Sequence, residues 1–357
     1  MNKFNGKHLM FFIWATSIVS IKTYPSLYIS LGKRDSWIAM TFAGICLFLF
    51  AYTIFSICEK HNAYNIHEIY LKVLGNFFGK IFLYLFALTI IFTLIECSSI
   101  EANAMHVNIL PFTPSWFFVL FFALPAIYTI TRGTHSIGIV TIVSITLIII
   151  SGTILAILTQ KYKHLGLILP VLNNGITLNL FLSSIRSLSM FGGFALCLPL
   201  LENFQHSKSL KIYVAVALLF AIQMEVFSSA GIVCTFAEKE AASLFYPKLI
   251  QTQLVNYFQF IESGELHVLL QVIGGWFIKY VIAFLSLITL LKNLNFYNNK
   301  LVYIISILVV LASCILSSST YFLFKALSIY TYIELANFII IPFIIYIIFH
   351  FKSSKKT

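Results

Sequence analysis

Residues 16–25 read Thr16-Ser17-Ile18-Val19-Ser20-Ile21-Lys22-Thr23-Tyr24-Pro25, and they interrupt an apolar run over 8–31. Hydroxyl side chains compete with the helix for its backbone partners. A lysine is expensive in hydrocarbon. Proline removes a donor and collides with the carbonyl four residues earlier. Together they predict a helix broken near its middle. A second interrupted run covers 180–201, where Ser189-Met190-Phe191-Gly192-Gly193 precedes Pro199. Paired glycines and a proline lower helix stability there too.

Moving outward, the chain repeats such apolar runs along its length. A membrane span needs about 20 mostly apolar residues. Ten runs qualify, at roughly 8–31, 37–58, 80–104, 114–131, 135–159, 180–201, 210–236, 267–291, 301–321 and 331–350. Of the 357 residues, 60% are hydrophobic and 10% charged, against about 25% charged in soluble proteins. This excludes an ordinary cytosolic enzyme, a disordered tail and a disulfide scaffold. The net charge is +11, but the basic residues punctuate apolar runs and do not cluster, so no nucleic-acid partner is expected. The six cysteines lie in or beside apolar runs without a CxxC pair, as packing residues do. Lys3 and Lys7 ahead of Leu9–Ile21 imitate a signal peptide. No small-residue cleavage site follows, so a retained first helix is expected.

The expected fold is an all-α polytopic membrane protein, one integral domain over 1–357, with the lipid bilayer as solvent. With the N-terminus in the cytoplasm, the inner loops carry 13 Lys and Arg and the outer loops 7, a bias that puts both termini inside. In the connection 59–79, Ile66, Ile69, Tyr70, Val73, Leu74 and Phe77 form one helical stripe, which predicts an interfacial helix over about 64–79. Residues 160–179 form an outer segment. Residues 237–266, broken by Pro247, form an outer loop with two short helices.

Ten spans divide as five plus five. If the halves are inverted repeats (about 8–159, and 180–321 or to 350), span 1 corresponds to span 6. Interrupted helices at matching positions point to a mid-membrane site. Unwound backbone offers N–H groups to a carboxylate and carbonyls to an ammonium, and an amino acid carries both. The expected pocket comprises Thr16, Ser17, Ser20, Lys22, Glu96, Ser99, Gly192 and Gly193, with Trp276 as a wall. Lys22 lies beside the break, to fix a carboxylate, replace a coupling cation or pair with Glu96. The other charges within spans are Glu101, Arg186, Glu225 and Lys279; their balance with Lys22 and Glu96 suggests pairing. Glu96 and Glu101 stand about 140° apart on a helix, so they are not a catalytic carboxylate pair, and Glu101 and Arg186 are expected to be structural. No nucleotide loop, HExxH or GxSxG occurs, so neither an enzyme, a cofactor nor a metal site is expected.

Four stretches resemble the B subunits of spore germinant receptors, the endospore-germination permeases of the amino acid–polyamine–organocation transporter superfamily. They are Gly32-Lys33-Arg34-Asp35-Ser36-Trp37; Leu74-Gly75 through Gly79-Lys80 with Leu110-Pro111-Phe112-Thr113-Pro114; Leu169-Pro170-Val171-Leu172-Asn173-Asn174-Gly175; and Phe260-Ile261-Glu262 through Trp276-Phe277-Ile278-Lys279. The resemblance implies a leucine-transporter-like fold with broken helices 1 and 6 and a ligand site between spans 1, 3, 6 and 8. It also implies A and C subunit partners in the inner membrane of a bacterial spore, and a small germinant, often an amino acid. The chain departs from the family pattern at Val19 and Ser20 (a glycine), at Gly193 (a glutamate) and at Phe260 (an arginine). Two other functions fit the same residues: a secondary amino-acid transporter coupled to H⁺ or Na⁺, and a scaffold or ion conduit without a working pocket.

Overall fold

A computed structural model describes residues 4–173, 175–205, 210–256 and 264–354. Asn174, the Phe260-Ile261-Glu262 stretch and the loop or terminal lysines Lys3, Lys208, Lys355 and Lys356 lie outside the described residues.

The first segment is three helices in series: α1 (Gly6–Ser17), α2 (Val19–Thr23) and α3 (Ser26–Gly32). Asn5 caps α1 by accepting from His8 N at 3.1 Å, which satisfies an otherwise orphaned donor. The α1–α2 step falls at Ile18, two residues after Thr16 Oγ1 donates back to the Phe12 carbonyl at 3.0 Å. The α2–α3 step falls at Tyr24, just before Pro25. The break predicted over 16–25 is therefore two steps bracketing one short turn of helix.

After α4 (Ser36–His61) comes α5 (Ile66–Asn108), bent at Gly75 with φ 78° and ψ 177°. Its first turns are the helix expected over 64–79, but the stripe ends at the bend: Ile66, Ile69, Tyr70 and Val73 are buried, while Phe77 is 72% exposed. Beyond Gly75 the chain axis changes, so the helical offset no longer places Phe77 on the same face. Next come α6 (Ser115–Thr131), α7 (Thr134–Leu158) and α8 (Leu178–Met190).

α8 runs into a 3₁₀ stretch, Phe191–Asn203, starting where Gly192 and Gly193 weaken the α-helix. Its residues Phe191 through Leu201 are all buried. The break expected there is thus a change of helix type inside the packed core, because buried backbone groups must find partners within the segment. The ends of the two broken segments are joined: Phe4 N donates to the Asn203 carbonyl at 2.9 Å, and Gln205 N to the Phe4 carbonyl at 2.6 Å.

The remainder is α9 (Leu210–Thr235), the short α10 (Glu238–Ser243) and α11 (Pro247–Gln253), then α12 (Glu265–Asn293), α13 (Asn299–Ser317), α14 (Thr320–Glu334), a π-helical turn at Leu335–Ile340, and α15 (Ile341–Ser354). Among the described residues, eight helical stretches are long and apolar enough to cross a membrane, which makes this an integral membrane protein. α6 is apolar but has 17 residues, and the first segment is too short in α1 (12 residues) and α2 (5 residues), while α3 is counted together with α4 over Ser26–His61. The expected count of ten rests on including these two.

Two of the resembling stretches dock on each other. Arg34 donates to the Leu169 carbonyl at 2.8 Å, and Asp35 Oδ1 accepts from Leu172 N at 3.0 Å. At Glu202, Oε2 accepts from Asn65 at 2.7 Å and Oε1 from Asn293 at 3.0 Å, tying the end of the 3₁₀ run to α12 and to the residue capping α5.

Candidate functional site

Ser20 and Tyr24 are four residues apart and share one face of the broken segment. Both donate to Glu96 Oε1 on α5, at 3.0 and 2.5 Å. From α12, Lys279 Nζ donates to Glu96 Oε2 at 2.9 Å and to Ser20 Oγ at 2.6 Å. The Lys279 and Glu96 side chains are 0% and 1% exposed. A buried ion pair persists only where its remaining lone pairs and protons are satisfied, and Ser20 and Tyr24 supply this for Glu96.

One turn earlier on α12, the Trp276 indole donates to Thr23 Oγ1 at 3.1 Å and stacks on Tyr24 with ring centroids 6.1 Å apart. Its ring also faces Lys279 Nζ at 5.1 Å. The α2–α3 step is thereby fixed from both sides: Tyr24 points its hydroxyl at Glu96 and its ring at Trp276.

Of the expected pocket residues, Ser20, Glu96 and Trp276 meet here. Thr16 and Gly193 meet next to them: a Cβ on Gly193 would collide with the Thr16 carbonyl oxygen and lie 3.5 Å from Lys279 Cε. Gly193 therefore permits the close approach of the 3₁₀ run to α1. Gly192 faces Glu334, whose Cγ lies 2.9 Å from where a Cβ would stand. Ser17 is buried, and its hydroxyl has no hydrogen-bond partner among the described residues. Ser99 donates to the Ile95 carbonyl at 2.6 Å.

Lys22 is not in this centre. Two residues along a helix is about 200°, so Ser20 and Lys22 face opposite sides. Lys22 Nζ lies 4.0 Å from Glu225 Oε1 on α9. The pairing of Lys22 with Glu96 is thus replaced by two separate pairs, Lys279–Glu96 and Lys22–Glu225. The third pair suggested by charge balance does not form: Arg186 donates to the Leu27 carbonyl at 3.1 Å, and Glu101 Oε2 is buried without a hydrogen-bond partner among the described residues.

Sequence reasoning missed two residues. Lys279 is visible in the sequence as a charge within a span but not as the partner of Glu96. Glu334 is the second; it is fully buried, and neither carboxylate oxygen has a hydrogen-bond partner among the described residues. The available signal was its position as the one acidic residue in the last apolar run. The π-helical turn follows it directly, a feature often found at functional sites.

A cavity of about 400 Å³ reaches Glu96 between α5, α13 and α14. Glu96 and Ser99 are among its polar lining residues, and Phe92, Ile95, Leu327 and Tyr330 form part of the rest. A carboxylate that opens on an apolar space and is backed by a fixed cation can recognise a small zwitterion with an apolar body.

Three solved variants of the manganese transporter of Eremococcus coleocola resemble this chain, with TM-scores of 0.56, 0.54 and 0.53. Each is 12% identical, and each match covers 86% of this chain and 68% of the other. At that identity the likeness carries the fold alone, which is of the leucine-transporter type. No curated protein matched the sequence. The family model described as spore germination protein matches residues 5–323. With nearly the whole chain matched and a transporter fold built around two broken segments, this protein belongs to the spore germination permease family.

Proposed function

We propose that this chain is the B subunit of a spore germinant receptor, and that a small amino-acid-like germinant binds beside Glu96 and Lys279 at the broken segments. One observation carries this reading: a desolvated carboxylate, Glu96, lines a cavity of about 400 Å³ and is paired 2.9 Å away with the buried ammonium of Lys279. An α-amino acid presents the complementary pair, its ammonium to Glu96 and its carboxylate to Lys279. The apolar wall favours an apolar side chain. Thr16, Ser17, Ser99 and the backbone at Gly192 and Gly193 border this centre, and Lys22 acts on it from the opposite face of α2. Binding would favour one of two conformations and so shift their populations. The reading includes A and C subunits as partners and the inner membrane of the spore as location. It also places both termini in the cytoplasm, supported by the 13 to 7 distribution of Lys and Arg.

The test is germination of spores carrying Glu96→Gln or Lys279→Met, scored against a panel of amino acids with protein level measured in parallel. The expected result is loss of response beyond any fall in protein level. Unchanged responses to every amino acid would sink the reading.

A secondary transporter is the second reading, favoured by the Glu334 carboxyl, which has no hydrogen-bond partner among the described residues and could serve as a proton-binding group. Gradient-driven accumulation of an amino acid in vesicles holding the purified chain would support it. Specific binding without accumulation supports sensing.

A further inference from the structure

The opposite face of the first broken segment holds a second cavity, of about 40 Å³, which none of the foregoing uses. Its walls are apolar, with Trp14, Ile148 and Val272 among them, and its polar lining includes Lys22, Lys248 and Gln271. These three come from α2, α11 and α12. All three offer N–H donors. Gln271 is 8% exposed, and its Nε2 is buried with no hydrogen-bond partner among the described residues. Lys248 Nζ has one bond, to Gln251 Oε1 at 2.7 Å, and Lys22 Nζ has Glu225 at 4.0 Å.

The charges around this cavity do not balance. Lys22 and Lys248 face one carboxylate, Glu225. Lys163 adds a third positive charge near Lys248; its Cε lies 3.3 Å from where a Cβ on Gly231 of α9 would stand. An uncompensated charge among buried apolar walls is costly, and an unpaired amide donor adds to that cost. A single small anion would answer both, accepting from Gln271 Nε2 and from the two ammonium groups. The space of about 40 Å³ admits a small ion.

We propose that the cavity lined by Lys22, Lys248 and Gln271 binds one small monovalent inorganic anion of chloride or bromide size. The site is separate from the Glu96–Lys279 centre and does not depend on what binds there. Its occupancy locks α11 onto α2, because one guest bridges donors from both.

Protons follow the anion. Burial, then Lys22 and Lys163, push Lys248 down to about 7, against the opposing pull of Glu225. Lys22 on α2, Glu225 on α9 and Lys163 after α7 are the charged groups that face it, with the amides Gln251 and Gln271 beside it. The anion prefers protonated Lys248, so binding above neutral pH takes up a proton, and affinity falls about tenfold per pH unit there.

The test uses the purified full chain and reads its thermal midpoint against sodium chloride or bromide, with sodium gluconate at equal ionic strength as reference. At pH 6.5 a saturable rise is expected with chloride and bromide but not with gluconate. The concentration for half effect should increase about tenfold from pH 7.5 to 8.5. Gln271→Leu and Lys248→Met should remove the saturable part. If Lys248→Met does not fold, Gln271→Leu and the pH series decide. Identical chloride and gluconate curves overturn the proposal, as does a saturable shift that survives Gln271→Leu or ignores pH.

Discussion

Lys279→Met removes the ammonium that sits 2.9 Å from Glu96 Oε2 and 2.6 Å from Ser20 Oγ. At 2.9 Å and an effective dielectric of about 20, the Coulomb attraction of the pair is about 6 kcal/mol. Most of that is offset by removing two ions from solvent, so the pair is close to neutral against well-packed uncharged residues. Breaking it from one side is different: the remaining Glu96 carboxylate keeps only Ser20 and Tyr24, and such an uncompensated charge costs about 3–5 kcal/mol. Glu96→Gln strands Lys279 in the same way. The double variant Lys279→Met/Glu96→Gln strands neither charge, and the introduced amide oxygen still accepts from both hydroxyls. Its cost should be about 1–2 kcal/mol, which leaves a coupling of about 4 kcal/mol or more. Read as thermal midpoints in detergent at about 2 °C per kcal/mol, each single variant should fall by roughly 6–10 °C and the double by less than either. Additive losses, with the double variant the least stable of the three, would refute the claim that one desolvated pair holds the break.

Gly193→Ala should cost about 1–3 kcal/mol by thermal unfolding, since its Cβ meets a backbone oxygen that can move only by separating two segments. Gly152→Ala on α7 is the control: its neighbours stand at 3.6 Å or more, and helix propensity alone should make it neutral or stabilising by up to about 1 kcal/mol. Gly75→Ala has open space around it but a backbone at φ 78° and ψ 177°, so a loss of about 1–3 kcal/mol is expected from strain alone. Lys248 holds its proton less tightly folded than unfolded, with a folded value of about 7. The unfolded chain therefore binds more protons between pH 7 and about 10.5, and stability in gluconate should rise with pH across that window. Lys248→Met should flatten the rise, and an equally steep rise in that variant would assign it elsewhere.

The first break was legible in the sequence because its causes are local: back-bonding hydroxyls and Pro25 act within one turn. The partner of Glu96 was not, because Lys279 is 183 positions away and only packing brings α12 to α5. The misplacement of Lys22 has a different origin. Treating 16–25 as unwound discards helical offsets, yet Val19–Thr23 is still helix. The offset of two that separates Ser20 from Lys22 therefore still holds. The glycine pair was legible as a weak point, but its form was not. Which helix type replaces the α-helix depends on what surrounds it, and here Thr16 and Glu334 crowd both glycines. The stripe over Ile66–Phe77 shows the same limit in reverse, since one glycine in an unusual conformation ends a pattern that composition alone would extend.

The 3₁₀ run Phe191–Asn203 spans 13 residues, whereas such helices seldom exceed four. It rises about 2.0 Å per residue where an α-helix rises about 1.5 Å, so it is about 6.5 Å longer than the same residues wound as α-helix. The segment is a drawn-out rod. At its far end, Asn203 holds the start of α1 through Phe4, and Glu202 holds Asn65 and Asn293. Rewinding the run would retract that end by more than one α-helical turn and carry three other elements with it. Gly192, against which Glu334 packs, lies at the other end of the rod.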